Sequence, residues 1–372
     1  MKYLFILGRN IDLSVAEVFA FLKRFGIGVL GSEQKDNGLL VEIDGLLPLG
    51  AVDKLGGTIA IGEVLSDDLG KLDGKALYAG SENKFNYVIW EFGDAGEFRD
   101  YLKKRFKDEK LKTSEKRLRG LLKTQSGEEI PIIGSKNIAE QFFVFGENYG
   151  KILQSSDYEA LEKRDMEKPA RRGMLAISPR LGKIMINFSQ VKEGEILLDP
   201  FCGIGSILQE ALLQEIKVVG IDVVESAIDG AQKNLEWGKF SKKNYQLIND
   251  DSRKVEIDKV DVLVAEPDLG ETLKSVGKIV VRKTYSFERA NNRMKKFEEL
   301  MVEVLNNLKE SVSGRIVFTS PFIKSFDKRN KRVGCDIGVI LKKTGLKLVS
   351  GFPINDFRPD QITGRQIFVL EH

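Results

Sequence analysis

The chain is poor in the residues on which much enzyme chemistry depends. Its 372 residues contain one histidine, His372, and two cysteines, Cys202 and Cys335. One histidine at the last position excludes the histidine-dependent triads, the histidine metal clusters and a histidine proton shuttle inside the fold, so no metal site is expected. Two cysteines cannot make a disulfide framework, and they point to a reducing compartment. No apolar run approaches the about 18 residues that a membrane helix needs. The short run Tyr3 to Leu7 is followed by Gly8-Arg9-Asn10 and not by a small-residue cleavage site, so a cytoplasmic protein without membrane contact is expected. There is no excess of charge either: 58 Lys and Arg stand against 55 Asp and Glu, a net of +3. Neither internal repeats nor low-complexity tracts interrupt the chain.

What is present suits a protein with a real core. Hydrophobic residues make up 42% and charged residues 30%, which excludes disordered and fibrous classes. At about 150 residues per domain the length predicts two or three domains. In the first half, strands are predicted at Lys2–Leu7, Leu39–Ile43, Thr58–Val64, Asn86–Phe92 and Phe142–Phe145. Helices are predicted at Ser14–Phe25, opened by a Ser14/Glu17 capping box, and at Gly96–Phe106. That order suggests ferredoxin-like α+β layers. Residues 155–172 are polar and charged with Pro169, and read as a linker. After Met174 strands and helices alternate with glycines at the turns, which predicts a doubly wound, mostly parallel sheet. Its strands are Ile196–Leu198, Val218–Ile221, Tyr245–Ile248, Val260–Ala265, Lys278–Val281, Gly314–Thr319 and Gln366–Leu370. Its helices are Ile207–Leu213, Glu225–Trp237 and Phe287–Leu308.

Charge is unevenly placed. Between Lys103 and Lys123 ten cations, among them Lys112, Lys116, Arg117, Arg119 and Lys123, face only Asp108, Glu109 and Glu115. A solvated helix face would look like this, and so would a footprint for a phosphate backbone. With the whole chain near neutrality, the basic surface is local.

The chemistry gathers around one loop. The strand Ile196–Leu198 runs into Asp199-Pro200-Phe201-Cys202-Gly203-Ile204-Gly205-Ser206, after which a helix opens. A glycine turn between strand and helix lets a ligand approach the backbone. The next strand ends in Asp222, placed to accept ribose hydroxyls, and the following one in Asn249-Asp250-Asp251, where a carboxylate could accept from an adenine amino group. The fourth ends in Glu266-Pro267-Asp268-Leu269. Any one acid after a strand is as often a helix cap, but four on successive strand ends mark the edge where open α/β sheets bind ligands. Position 208 is Leu208, so the third glycine of a dinucleotide loop is missing, and Asp199 would repel a pyrophosphate. The acidic set suits a cationic ligand with an adenosine, namely S-adenosylmethionine. Cys202 has no activating neighbour and reads as buried filler, and Cys335 as structural.

The block Leu197-Leu198-Asp199-Pro200-Phe201-Cys202-Gly203-Ile204-Gly205 is similar to the DPFCGTG motif of Rossmann-fold methyltransferases that act on nucleic-acid amino groups. Tyr3 to Asn10, with Leu13-Ser14 and Ala16-Glu17, resembles the start of the tRNA (guanine-10-N2)-methyltransferase family. So do Arg164-Asp165, Lys168-Pro169-Ala170 and Ser178-Pro179-Arg180-Leu181. The likeness implies a ferredoxin-like domain at 1–64, a THUMP RNA-binding domain at 65–155, a linker at 156–178 and a Rossmann-fold methyltransferase at 179–372. It also implies S-adenosylmethionine as cofactor, with Asp199, Phe201, Gly203, Gly205, Asp222, Asp250 and Asp251 around it, and tRNA as substrate. An activating protein partner is left open. The family carries Asp-Pro-Pro-Tyr where this chain has Glu266-Pro267-Asp268-Leu269. There the acid and a proline carbonyl accept from the target amino group while the aromatic ring stacks on the base. Glu266 and Pro267 keep the two acceptors, Asp268 adds a charge, and Leu269 cannot stack, which forfeits roughly 1–3 kcal/mol.

Three readings follow. The chain methylates a guanine N2 in tRNA; or it methylates another nucleic acid such as DNA; or it is a non-catalytic RNA-binding paralogue. A small-molecule methyltransferase would fit the second half but leaves the first 150 or so residues without a role.

Overall fold

The computed structural model describes all residues except 75–76, 119–120, 124–128, 132–137, 172–176, 268–284, 329–330 and 359–360, and only the backbone of 73–74, 121–123 and 129–131. The chain divides into two compact units, Met1–Asp157 and Tyr158–His372.

The first unit runs β1 (Lys2–Leu7), α1 (Ile11–Arg24), β2 (Val29–Lys35), β3 (Gly38–Ile43), α2 (Ala51–Lys54), β4 (Thr58–Ser66), β5 (Lys84–Phe92), α3 (Gly96–Asp108), β6 (Lys112–Glu115), β7 (Leu121–Lys123), β8 (Glu129–Pro131), β9 (Glu140–Phe145) and β10 (Asn148–Ser155). Eight of these strands form one sheet in the order β2-β3-β1-β4-β10-β9-β5-β6, while β7 and β8 pair separately. Strand β1 is buried on both faces because its residues are apolar without alternation. Tyr3, Phe5 and Leu7 pack with Val18, Phe21 and Leu22 of α1, whereas Leu4 and Ile6 join Trp90, Phe143 and Phe145 on the opposite side. Helix α3 buries Phe98, Leu102 and Phe106 against Tyr87 and Phe142.

Two expectations change here. Helix α1 begins at Ile11, with Asn10 as its cap, its Oδ1 accepting from the Leu13 N–H at 3.3 Å. Ser14 and Glu17 therefore lie inside the helix and form no capping box. Glu17 is buried, and its two oxygens accept from the N–H groups of Gly56 at 2.7 Å and Gly57 at 2.6 Å, tying the helix to the turn before β4. The boundary expected at 64/65 falls within β4, and residues on both sides of it build the same sheet.

The second unit runs α4 (Tyr158–Met166), α5 (Pro179–Ser189), β11 (Ile196–Asp199), α6 (Ser206–Leu212), β12 (Lys217–Asp222), α7 (Glu225–Trp237), β13 (Tyr245–Asn249), β14 (Val262–Ala265), α8 (Phe287–Leu308), β15 (Ile316–Lys324), β16 (Arg332–Val333), α9 (Ile337–Thr344), β17 (Lys347–Leu348), β18 (Ile354–Asp356) and β19 (Thr363–Glu371). Its sheet has the order β13-β12-β11-β14-β15-β19-β17, with β16 beside β15 and β18 beside β19. The first five strands in that order are parallel, and β19 is antiparallel to β15. This is the doubly wound α/β fold read from the sequence. The strand expected at Lys278–Val281 lies outside the described residues. Helix α8 lays Phe297, Met301, Val304, Leu305 and Leu308 on Leu263, Ile316, Phe318, Phe368 and Leu370.

The expected linker at 156–178 contains a helix, α4, and is tied to α6 and α7. Arg164 donates from Nε and Nη2 to the two oxygens of Glu210 on α6, at 2.7 and 3.3 Å. Glu210 is 1% exposed, so the pair satisfies a buried charge. The Lys168 ammonium, also buried, donates to Ser206 Oγ at 2.9 Å. Asn234 of α7 accepts from the Ala170 N–H and donates to the carbonyls of Ala170 and Ile204.

Candidate cofactor and substrate site

The strand order places the ends of β13, β12, β11 and β14 side by side, and with them Asp250, Asp222, Asp199 and Glu266. Between β11 and α6 the backbone turns through Gly203 at φ 53° and Gly205 at φ 80°, a left-handed region that favours glycine. The turn is fixed from its neighbours. Asp222 accepts from the Gly203 N–H with one oxygen and from the Val224 N–H with the other, both at 2.9 Å. Asn249 Nδ2 donates to the Asp222 carbonyl at 2.9 Å, and Ser252 Oγ donates to the Pro200 carbonyl at 2.6 Å. Three strand ends are thereby laced into one rim. Gly220 has a packing role too: a Cβ there would stand 2.6 Å from Leu208 Cδ1 and 3.0 Å from Cys202 Sγ.

The acids differ in environment. Asp199 is 1% exposed, and burial pushes its carboxyl well above the usual carboxylate range; the Phe201 N–H, donating at 3.0 Å, opposes this, while Asp222 and Glu266 add to it. Asp251 takes Nε and Nη2 of Arg253 at 3.0 and 2.6 Å together with the Arg253 N–H, which holds its carboxyl down at about 2. With those bonds made, Asp251 has little capacity for a ligand. Asp250 is exposed and accepts only the Asp251 N–H among the described residues, at 2.7 Å. Phe201 is half-buried against the core of the unit, and Cys202 is buried, as its reading as filler predicts.

Glu266 is not alone at the end of β14. Arg365 of β19 donates from Nε to its Oε1, an ion pair that sequence reading missed because 99 residues separate the partners. Pro267 is buried beside it, and Asp268 lies outside the described residues. Lys168, Asn234 and Ser252 were missed as well; only Lys168 carried a signal, in the Lys168-Pro169-Ala170 block.

The expected RNA-contacting residues belong to the first unit. Lys112 stands exposed on β6, the edge strand, and Lys116 and Arg117 follow it, also exposed. A cavity of about 690 Å³ is lined by Ile89, Glu91, Arg99, Glu115, Lys116, Arg117 and Leu118. Arg99 is held there by Glu115 at 2.9 Å and Glu91 at 2.7 Å, so Lys116 and Arg117 carry its excess positive charge. Arg119 and the side chain of Lys123 lie outside the described residues. Among those residues no helix is long and apolar enough to cross a membrane.

Comparison with known proteins bears on the second unit. Residues 163–329 match the UPF0020 family model, described as RMKL-like, methyltransferase domain. A tRNA (guanine(10)-N2)-dimethyltransferase of Methanothermobacter thermautotrophicus is 38% identical over 103 residues, covering 27% of this chain and 30% of the relative. The protein of that description from Methanocaldococcus jannaschii is 33% identical over 137 residues, 34% of this chain and 38% of the relative. The tRNA (guanine(10)-N(2))-methyltransferase of Saccharomyces cerevisiae is 35% identical over 89 residues, 23% of this chain and 21% of the relative. The chain thus aligns with less than two fifths of the length of these curated relatives.

Proposed function

Because residues 163–329 match a methyltransferase-domain model described as RMKL-like, we propose that the chain transfers a methyl group from S-adenosylmethionine to the exocyclic N2 of a guanine in tRNA. The observation that carries this reading is the row of acids on four adjacent strand ends around a glycine turn.

The donor set fits a cationic adenosine. Asp222, half-exposed beside Gly203, retains lone pairs for the two ribose hydroxyls, and Asp250 is the acid free to accept from the adenine amino group. Asp199 faces the place of the methionine part, where its negative charge complements ammonium and sulfonium, and Gly203 and Gly205 leave room beside it. Bound there, S-adenosylmethionine supplies a methyl group that is already activated. The chain's part is to position the acceptor. The target amino group donates to Glu266 and to the Pro267 carbonyl, which aims its lone pair along the line of transfer. A guanine inside a helix must be extruded to reach these groups. The first unit would grip RNA through Lys112, Lys116 and Arg117 and read its shape and phosphates. Its role as a THUMP-type RNA-binding region belongs to the same proposal.

The experiment is methyl transfer from labelled S-adenosylmethionine to unmodified tRNA, with mass spectrometry of the nucleosides. N2-methylated guanosine from the wild type, reduced by a factor of about 10² or more in Asp222→Ala and Glu266→Ala, is the expected result. Binding of tRNA without incorporation would leave an RNA-binding paralogue, and methylated DNA or another nucleoside would replace the substrate.

A further inference from the structure

Glu266 is one methylene longer than the aspartate of the Asp-Pro-Pro-Tyr motif, and a longer acid has one more torsion to fix before it can present an oxygen reproducibly. The constraint comes from β19. Arg365 stands opposite Pro321 in the β15–β19 register, so its side chain crosses the end of β15 to reach Glu266 Oε1. The two side chains are 27% and 17% exposed, which removes much of the solvent screening that weakens surface pairs. From the other side Asp356 of β18 is the register partner of Arg365. Among the described residues no hydrogen bond reaches Glu266 Oε2.

Resting on the proposed amino methylation, we propose that Arg365 is a positioning residue that fixes the orientation of Glu266, engaging Oε1 so that Oε2 faces the target amino group. A carboxylate accepts hydrogen bonds only; once protonated, it gains a donor that competes with the amino hydrogens. The guanidinium cannot lose its proton in the working range, so it is a permanent counter-ion, and its Nε–H bond to Oε1 restrains the torsion that the extra methylene adds. Glu266 with Arg365 thus does the work of the shorter aspartate.

The test uses the full chain as wild type, Arg365→Met, Arg365→Lys, Glu266→Gln and the Arg365→Met/Glu266→Gln double variant. Arg365→Met is expected to lower kcat for methyl transfer by a factor of about 10 or more while KM for tRNA stays unchanged. Arg365→Lys, which keeps a charged donor for Oε1, should recover part of that loss. The double variant should be no slower than Glu266→Gln. An Arg365→Met variant with the wild-type kcat, or a double variant slower by the product of the two single losses, overturns the proposal. If Arg365→Met does not fold, Arg365→Gln takes its place with the same two outcomes. A wild type that transfers no methyl group removes the functional reading. Carbon-13 NMR of glutamate-labelled protein, with the Glu266 signal assigned by its loss in Glu266→Gln, then still decides on the pairing: a Glu266 carboxyl chemical shift unchanged in Arg365→Met overturns it.

Discussion

Asp199 meets two opposed demands. Its place at the end of β11, 1% exposed, puts it where the proposed cationic ligand needs an anion, yet burial works against the anion when no cation is there. The linkage has a definite sign. The folded-state carboxyl titrates well above its ordinary value near 3.8, so unfolding releases a proton, and stability drains away as pH rises from that value toward the raised one. Asp199→Asn keeps the shape and the acceptor for the Phe201 N–H but never ionises. It is expected to melt higher than the wild type at pH 7, to lose that advantage near pH 3, and to bind S-adenosylmethionine more weakly by calorimetry. A melting difference that is independent of pH would show that ionisation of Asp199 has no part in it. The strand-end places of Asp199, Asp222 and Glu266 were legible because acids after strands are visible locally. That Arg253 folds back onto Asp251 and not onto Asp250 was not, since it depends on the folded loop.

At the scale of elements, the stretch that reads as a linker behaves as part of the second unit. Its composition is polar, and polarity suggests solvent, but Arg164, Lys168 and Ala170 spend their polar groups on Glu210, Ser206 and Asn234 behind the glycine turn. Removing Arg164 strands Glu210, with Lys183 remaining at 4.0 Å as a partial counter-ion. Arg164→Met is therefore expected to cost about 3 kcal/mol of stability, measured by denaturant unfolding of the full chain; a loss under about 1 kcal/mol would make the pair no better than an exposed one. The long elements were legible because their period is strong: α7 and α8 span the residues that the sequence predicts, and β11 to β15 fall where expected. Strand β2 was not legible, as its seven residues are exposed on both faces at the sheet edge and carry no alternation. The start of α1 was misread because Ser14 and Glu17 have capping chemistry but spend it elsewhere, Ser14 Oγ on the Asn10 carbonyl and Glu17 on Gly56 and Gly57.

For the whole molecule, near-neutral total charge with a basic edge predicts a salt dependence that a few residues control. Reversing Lys112, Lys116 and Arg117 to Glu is expected to weaken tRNA binding and to flatten the plot of log affinity against log salt by about one unit for each phosphate no longer neutralised. An unchanged slope would place the RNA-binding surface elsewhere. Connectivity sets a further condition. Strand β19 follows every other strand of its sheet in the sequence, yet it lies between β15 and β17 and carries Arg365 to the far side of β15. The central sheet cannot close from its first strands alone. On a translating ribosome, the glycine turn and Asp222 can emerge and fold while Glu266 still lacks its counter-ion. Under the proposed function, a nascent chain would hold the methyl donor before it could use it, with transfer waiting until β19 takes its place.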